Sequence, residues 1–162
     1  LDLSQSEAGL MPLRESKFEL LPFITQIVRK QERRILDGGL TLDLNGNPDK
    51  VVLADPHQLR RAISQLLDNA INGTPRGGRI AIDIGRKRDE TRIVISDNGQ
   101  GMSQHELERA LEGIRMAPDG KGIERRHGLG IPLARQLIEA HGGTLEIRSR
   151  KNSGTTATII LP

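Results

Sequence analysis

The sequence predicts an α/β two-layer sandwich: a mixed, mainly antiparallel sheet with helices packed on one of its faces. Three observations lead there. Helix-periodic and strand-periodic apolar segments alternate along the chain. Two pairs of alternating segments are each joined by a short polar stretch, which makes them hairpins and rules out an all-parallel sheet. The length, 162 residues, suits one domain with a single core. That core must be aliphatic, because Phe18 and Phe23 are the only aromatic residues.

Residues 1–9 read as the last turns of a helix stopped at Gly9, with Met11-Pro12 as a break. An extended piece around 17–20 precedes one helix over 22–36, where Phe23, Ile24, Ile27, Val28 and Ile35 recur near helical spacing before Gly38-Gly39. Leu40, Leu42 and Leu44 alternate with polar residues as a half-buried strand. Asn45-Gly46-Asn47-Pro48 turns the chain into a second strand, Val51-Val52-Leu53. Asp55-Pro56 is a helix start, with Asp as N-cap and Pro in the first helical position. Leu59, Ile63, Leu66, Leu67 and Ala70 then face the core until Gly73. Ile80, Ile82 and Ile84 alternate, as do Ile93 and Ile95, giving a hairpin with a charged tip over 86–90. A short helix over 104–112, a Gly- and charge-rich stretch over 113–127 and a helix over 131–141 follow. Gly142-Gly143 leads to a last hairpin, 145–148 with 156–161. The whole is expected to form one sheet.

Lys and Arg number 24 against 21 Asp and Glu, a net charge of +3 spread in pairs and triplets. This reads as a solvated surface, and without aromatic platforms it excludes single-stranded nucleic acid as the expected partner. No cysteine means no disulfide and no thiolate metal site, which fits a reducing compartment. No apolar run is long enough to span a bilayer and no signal peptide is present, so a cytoplasmic domain is expected. The opening Leu-Asp-Leu-Ser, without Met, reads as part of something longer.

Three segments place polar residues or glycines where packing alone would not ask for them. Asp68-Asn69, with Asn72 one turn on, closes an apolar helix face; an Asn carbonyl is a hard oxygen ligand suited to Mg²⁺, or alternatively a helix-end polar residue. Asp97-Asn98-Gly99-Gln100-Gly101 follows a strand end, where a carboxylate can accept from an exocyclic amine such as that of adenine. Gly99 and Gly101 would allow close ligand approach, and Asp-Asn-Gly is also a common turn. Gly128-Leu129-Gly130 opens a helix behind Arg125-Arg126-His127; free N–H groups and two arginines favour phosphate oxygens, the alternative being a surface loop.

Taken in order, these segments resemble the ATP-binding catalytic domain of sensor histidine kinases, in the wider group of gyrase-type, heat-shock and mismatch-repair ATPases. The N box of that family matches Gln65-Leu66-Leu67-Asp68-Asn69-Ala70-Ile71-Asn72-Gly73-Thr74-Pro75. Its two glycine boxes match Asp97-Asn98-Gly99-Gln100-Gly101 and Gly128-Leu129-Gly130-Ile131. The run Leu137-Ile138-Glu139-Ala140-His141-Gly142-Gly143-Thr144-Leu145, the ending Gly154-Thr155-Thr156 and the opening Ser6-Glu7-Ala8-Gly9 are typical of the histidine kinase branch.

The resemblance implies a Bergerat-type ATP-binding fold over 11–162, with 1–10 as the end of a dimerisation-domain helix and linker and 113–127 as an ATP lid. It implies ATP and Mg²⁺ as cofactors and Asn69 as the metal ligand. Asp97 would fix the adenine amine, with Gly99 and Gly101 beside it and Thr155 as a water-mediated contact. Asn72, Arg126, His127, Gly128, Leu129 and Gly130 complete the expected nucleotide site. The γ-phosphoryl group would go to a histidine outside this chain, since His57, His105, His127 and His141 lie in no phosphoacceptor context. Expected partners are the dimerisation and phosphotransfer domain of the same protein, as a homodimer, and a response regulator.

The chain departs from the family pattern in several places. Gln65 replaces the first Asn of the N box, Asn72 replaces a Lys or Arg, and Gly73 replaces the aromatic residue that lines the nucleotide. Arg126 replaces a glycine, and no Phe follows Phe23. These departures open an alternative, a pseudokinase-like regulatory module that docks a response regulator or kinase with little or no turnover.

Overall fold

The computed structural model describes residues 12–112, 115–116, 123–124 and 130–162. Strand β1 (Ser16–Glu19) leads into helices α1 (Leu20–Lys30) and α2 (Glu32–Asp37), then strands β2 (Thr41–Gly46) and β3 (Val51–Ala54). Helix α3 (Pro56–Gly73) is followed by β4 (Arg79–Lys87), β5 (Glu90–Asp97) and α4 (Gln104–Glu112). The short strands β6 (Arg115–Met116) and β7 (Ile123–Glu124) pair with each other, and α5 (Gly130–Ala140), β8 (Thr144–Arg150) and β9 (Gly154–Leu161) complete the chain.

The main sheet has the order β2-β4-β5-β9-β8. Only β2 and β4 run parallel; the other three pairings are antiparallel. Both expected hairpins, β4–β5 and β8–β9, are present. The expectation of one sheet is corrected: β3 pairs with β1 in a separate two-stranded ribbon, Lys17 opposite Leu53 and Phe18 opposite Val52. That pairing brings Phe18 within 4.7 Å of Phe23, with Arg60 over the Phe23 ring at 5.4 Å.

The single helix expected over 22–36 is also corrected. It breaks at Gln31, whose backbone leaves the helical region at φ −103° and ψ 3°. The bend lets α2 bury Ile35 and turns Arg34 toward the end of α3.

Alternation builds the core. Ile80, Ile82, Ile84, Ile93, Ile95 and Ile159 project from one sheet face and meet Leu59, Ile63, Leu66 and Leu67 of α3 with Leu137 and Ile138 of α5. Helix α3 begins as its sequence dictates: Asp55 Oδ1 accepts from the N–H of His57 and Gln58 at 3.0 and 3.1 Å, and Pro56 fills the first turn. His141 joins the two main helices. Its Nε2 accepts from the Asp55 N–H at 3.0 Å, which leaves the hydrogen on Nδ1, facing the Leu137 carbonyl at 2.7 Å. Among the described residues, no helix is long and apolar enough to cross a membrane.

Candidate functional site

At one end of the main sheet, three polar side chains stand in a cross-strand row. Asp97 ends β5 and lies opposite Thr155 of β9, which in turn lies opposite Ser149 of β8. Ile80 of β4 completes the row and is fully buried, so these residues share the helix-covered face. Asp97 Oδ1 accepts from the Gly99 N–H at 2.9 Å and the Thr155 N–H at 3.3 Å. Among the described residues, Oδ2 takes no hydrogen bond. Burial raises the Asp97 pKa above the ordinary carboxylate value, and the two backbone donors only partly offset it.

Thr155 Oγ1 lies 2.8 Å from Ser149 Oγ. Ser149 Oγ also accepts from the Met102 N–H at 2.7 Å and lies 3.1 Å from the Gly154 carbonyl. The sequence reading missed Ser149. The signal was its place in β8, where it continues the inward-facing series of Leu145 and Ile147 with a hydroxyl instead of a hydrocarbon.

The glycines bring the loop after β5 against its neighbours. A Cβ at Gly99 would overlap the Gly73 carbonyl oxygen, and the Gln100 N–H donates to that same oxygen at 3.0 Å. Gly101 sits at φ +65°, a conformation L side chains rarely adopt, with the Arg150 carbonyl where its Cβ would be. The loop is therefore held between the end of α3 and the β8–β9 hairpin. Lys151, in the turn of that hairpin, pairs with Glu106 of α4 at 2.8 Å.

Asn69 lies one turn before Gly73, so the helix end that meets the Asp97 loop also carries this carboxamide. Asn69 is half-buried, and among the described residues its side chain takes no hydrogen bond. Gln65, one turn earlier, faces the start of α5: a Cβ at Gly130 would lie 2.9 Å from Gln65 Oε1. The structure thus brings Asn69, Asp97, Gly99, Gly101, Gly130 and Thr155 to one end of the sandwich.

Asn72 is engaged elsewhere. Its Oδ1 accepts from Arg34 Nη2 at 2.8 Å, while Arg34 Nη1 reaches Asp68 at 2.6 Å and Gln31 at 3.0 Å. Arg126, His127, Gly128 and Leu129, most of the 113–127 stretch and the helix expected over 1–9 lie outside the described residues.

The donor set constrains any metal. Among the described residues, no group of three or more His, Cys, Asp or Glu side chains could hold an ion. A lone neutral Asn oxygen fits Mg²⁺ that takes its other ligands from phosphate and water, not one caged by protein.

The family model of histidine kinase-, DNA gyrase B- and HSP90-like ATPases matches residues 54–162. The circadian input-output histidine kinase CikA of Synechococcus elongatus is 33% identical over 168 residues, covering 100% of this chain and 22% of that protein. The chain spans about a fifth to a quarter of the length of the curated relatives it matches first. Among solved structures, full-length ShkA in complex with AMPPNP superposes with a TM-score of 0.81 at 20% identity, covering 99% of this chain and 34% of that one. Histidine kinase ThkA in complex with response regulator protein TrrA superposes with a TM-score of 0.77 at 22% identity, covering 93% and 42%.

Proposed function

We propose, since this chain belongs to the family of histidine kinase-, DNA gyrase B- and HSP90-like ATPases, that it is the Mg-ATP-binding catalytic domain of a two-component sensor histidine kinase. In this reading it hands the γ-phosphoryl group to a histidine on a dimerisation domain outside the chain. In this reading 11–162 would be the domain, 1–10 would belong to the preceding dimerisation segment and 113–127 to the nucleotide lid. The domain works on the cytoplasmic side, within a homodimer, and a response regulator receives the phosphoryl group.

One observation carries the proposal: Asp97, Thr155, Asn69 and Gly130 meet at a single end of the sandwich. Among the described residues, Asp97 Oδ2 is an unengaged acceptor, suited to an exocyclic amine. Thr155 lies beside it for the adjoining ring edge. Asn69 offers the oxygen that would hold Mg²⁺, which when bound neutralises phosphate charge. The start of α5 at Gly130 would offer N–H groups to phosphate, and Arg126, His127, Gly128 and Leu129, outside the described residues, are proposed as further phosphate contacts. These residues bind and orient, and phosphoryl transfer asks little more of a protein than that.

The partnership of Asn72 with Arg34 and Asp68 favours one second reading. No cation occupies that helix position, and its carboxamide is already bonded, as a pseudokinase-like module with weak turnover would allow. Calorimetric titration with Mg-ADP tests the main reading. The chain should bind ADP, and Asp97→Asn should weaken ADP by about tenfold or more, the order of a lost charged hydrogen bond. No heat at millimolar ADP with the unsubstituted chain would favour the module that needs no nucleotide.

A further inference from the structure

We infer that Asn98 is a site of self-modification: the Gly99 nitrogen closes on the Asn98 side-chain amide and expels ammonia, with Asp97 as base and the Arg79 N–H as oxyanion donor. This chemistry needs no nucleotide and stands apart from the reading above.

Cyclisation of this kind is least hindered where Gly follows Asn, because no Cβ shields the attacking nitrogen. The chain holds three such pairs, Asn45-Gly46, Asn72-Gly73 and Asn98-Gly99. Their settings differ. Asn98 is exposed, and its Oδ1 accepts from the Arg79 N–H at 2.7 Å. That donor fixes which end of the amide is oxygen, and it lies where negative charge develops when Cγ is attacked. Among the described residues, Asn98 Nδ2 takes no hydrogen bond, so no contact holds back the leaving nitrogen. On the other side of the reaction, the Gly99 N–H donates to Asp97 Oδ1 at 2.9 Å. A carboxylate in that place can take the proton as the nitrogen attacks. Burial raises the Asp97 pKa, which makes its carboxylate a stronger base than an exposed one.

The other two pairs lack this combination. Asn72 Oδ1 accepts from Arg34 Nη2 at 2.8 Å, but Gly73 ends helix α3, whose N–H groups turn to main-chain carbonyls. Asn45 lies in β2 alongside β4, and its side chain donates through Nδ2 to Asp83 at 3.4 Å. Among the described residues, only the third of these glycines, Gly99, donates its N–H to a carboxylate.

The bond from Gly99 N to Asn98 Cγ forms and the Cγ–Nδ2 bond breaks. The proton leaves Gly99 for Asp97 and passes to the departing nitrogen, which goes as ammonia. Water then opens the cyclic imide. Attack at the side-chain carbonyl leaves an aspartate at position 98, which still offers an acceptor to Arg79. Attack at the main-chain carbonyl leaves an isoaspartyl link, one methylene longer in the backbone. A Cβ at Gly99 would already overlap the Gly73 carbonyl, so the longer link draws Gly99 away from Asp97. The reaction thus ends by removing the hydrogen bond that supplied its base.

Incubation of the folded chain at neutral pH, then protease digestion and mass analysis of each peptide, tests this through the replacement of NH₂ by OH. Asn98 should be lost at least about tenfold faster than Asn45 or Asn72, well within what a positioned base supplies. In guanidinium, where no fold holds Asp97 and Arg79 in place, that lead should vanish. Asp97→Asn keeps an acceptor for Gly99 but no base. Checked by thermal melting to be folded, it should slow the loss of Asn98 by about tenfold or more and leave the other two sites unchanged. Loss of Asn98 no faster than at the other two sites in the folded chain overturns the inference. So does a lead that persists in guanidinium, or a folded Asp97→Asn chain that loses Asn98 at the unsubstituted rate. The comparison of the three sites needs no variant and decides the matter if Asp97→Asn fails to fold.

Discussion

Asp55 and Asp97 both stand at the edge of an element, yet their surroundings shift their carboxyl groups in opposite directions. For Asp55, burial works to raise the pKa, but the N–H groups of Arg14, Gln58 and His57 outweigh it and leave the value lowered. A lowered folded value means that the stability from Asp55 is present above the unfolded pKa and is lost as pH falls through the folded one. Asp55→Ala should cost about 1–2 kcal/mol in urea unfolding at neutral pH, with the deficit shrinking in acid. For Asp97, burial wins and the value is raised. Its contribution to stability is present below the unfolded pKa and lost as pH rises through the folded one. Asp97→Asn should therefore melt above the unsubstituted chain at neutral pH when no nucleotide is present. For the same reason ADP affinity should begin to fall, on acidification, above the ordinary carboxylate pKa, as a calorimetric pH series would record. The residue proposed to meet the adenine amine is one that the fold would hold more easily uncharged.

Helix α3 carries both sides of this economy. Its inward face, with Leu59, Ile63 and Leu67 fully buried, anchors it to the sheet, while its last turns carry Asn69. Leu67→Ala should cost about 2–5 kcal/mol in chemical denaturation through the cavity it leaves. Arg34→Ala, which breaks a half-exposed ion pair with Asp68, should cost no more than about 1 kcal/mol in the same assay. This helix was legible from the sequence because cap, Pro and apolar spacing agree with one another, and both hairpins were legible from strict alternation. The β1–β3 ribbon was not. Its partners lie more than thirty residues apart, and no local pattern records such a pairing. The break at Gln31 also escaped, because apolar spacing runs on across it. Of the site, Asn69, Asp97 and the glycines announced themselves by being out of place for packing. Ser149 did not, since one hydroxyl in a strand is ordinary until the register sets it against Thr155.

Taken whole, the sandwich is proposed as a platform that binds and orients, and its histidines among the described residues serve the fold or the solvent. His141 has both ring nitrogens engaged between α3 and α5, and His57 and His105 are exposed. Incubation of the chain with labelled Mg-ATP should leave no phosphohistidine on His57, His105, His127 or His141; label on any of them would contradict a domain that donates elsewhere. The strand order has a consequence for the making of the molecule. Strand β9 lies between β5 and β8, although it comes after both in the chain. Until residues 154–161 have left the ribosome, β5 presents a bare edge and Asp97 lacks the backbone donor of Thr155. The growing polypeptide thus cannot complete the Asp97 end of the sheet before the sheet itself, because β9, which follows both of its neighbours in the chain, closes both.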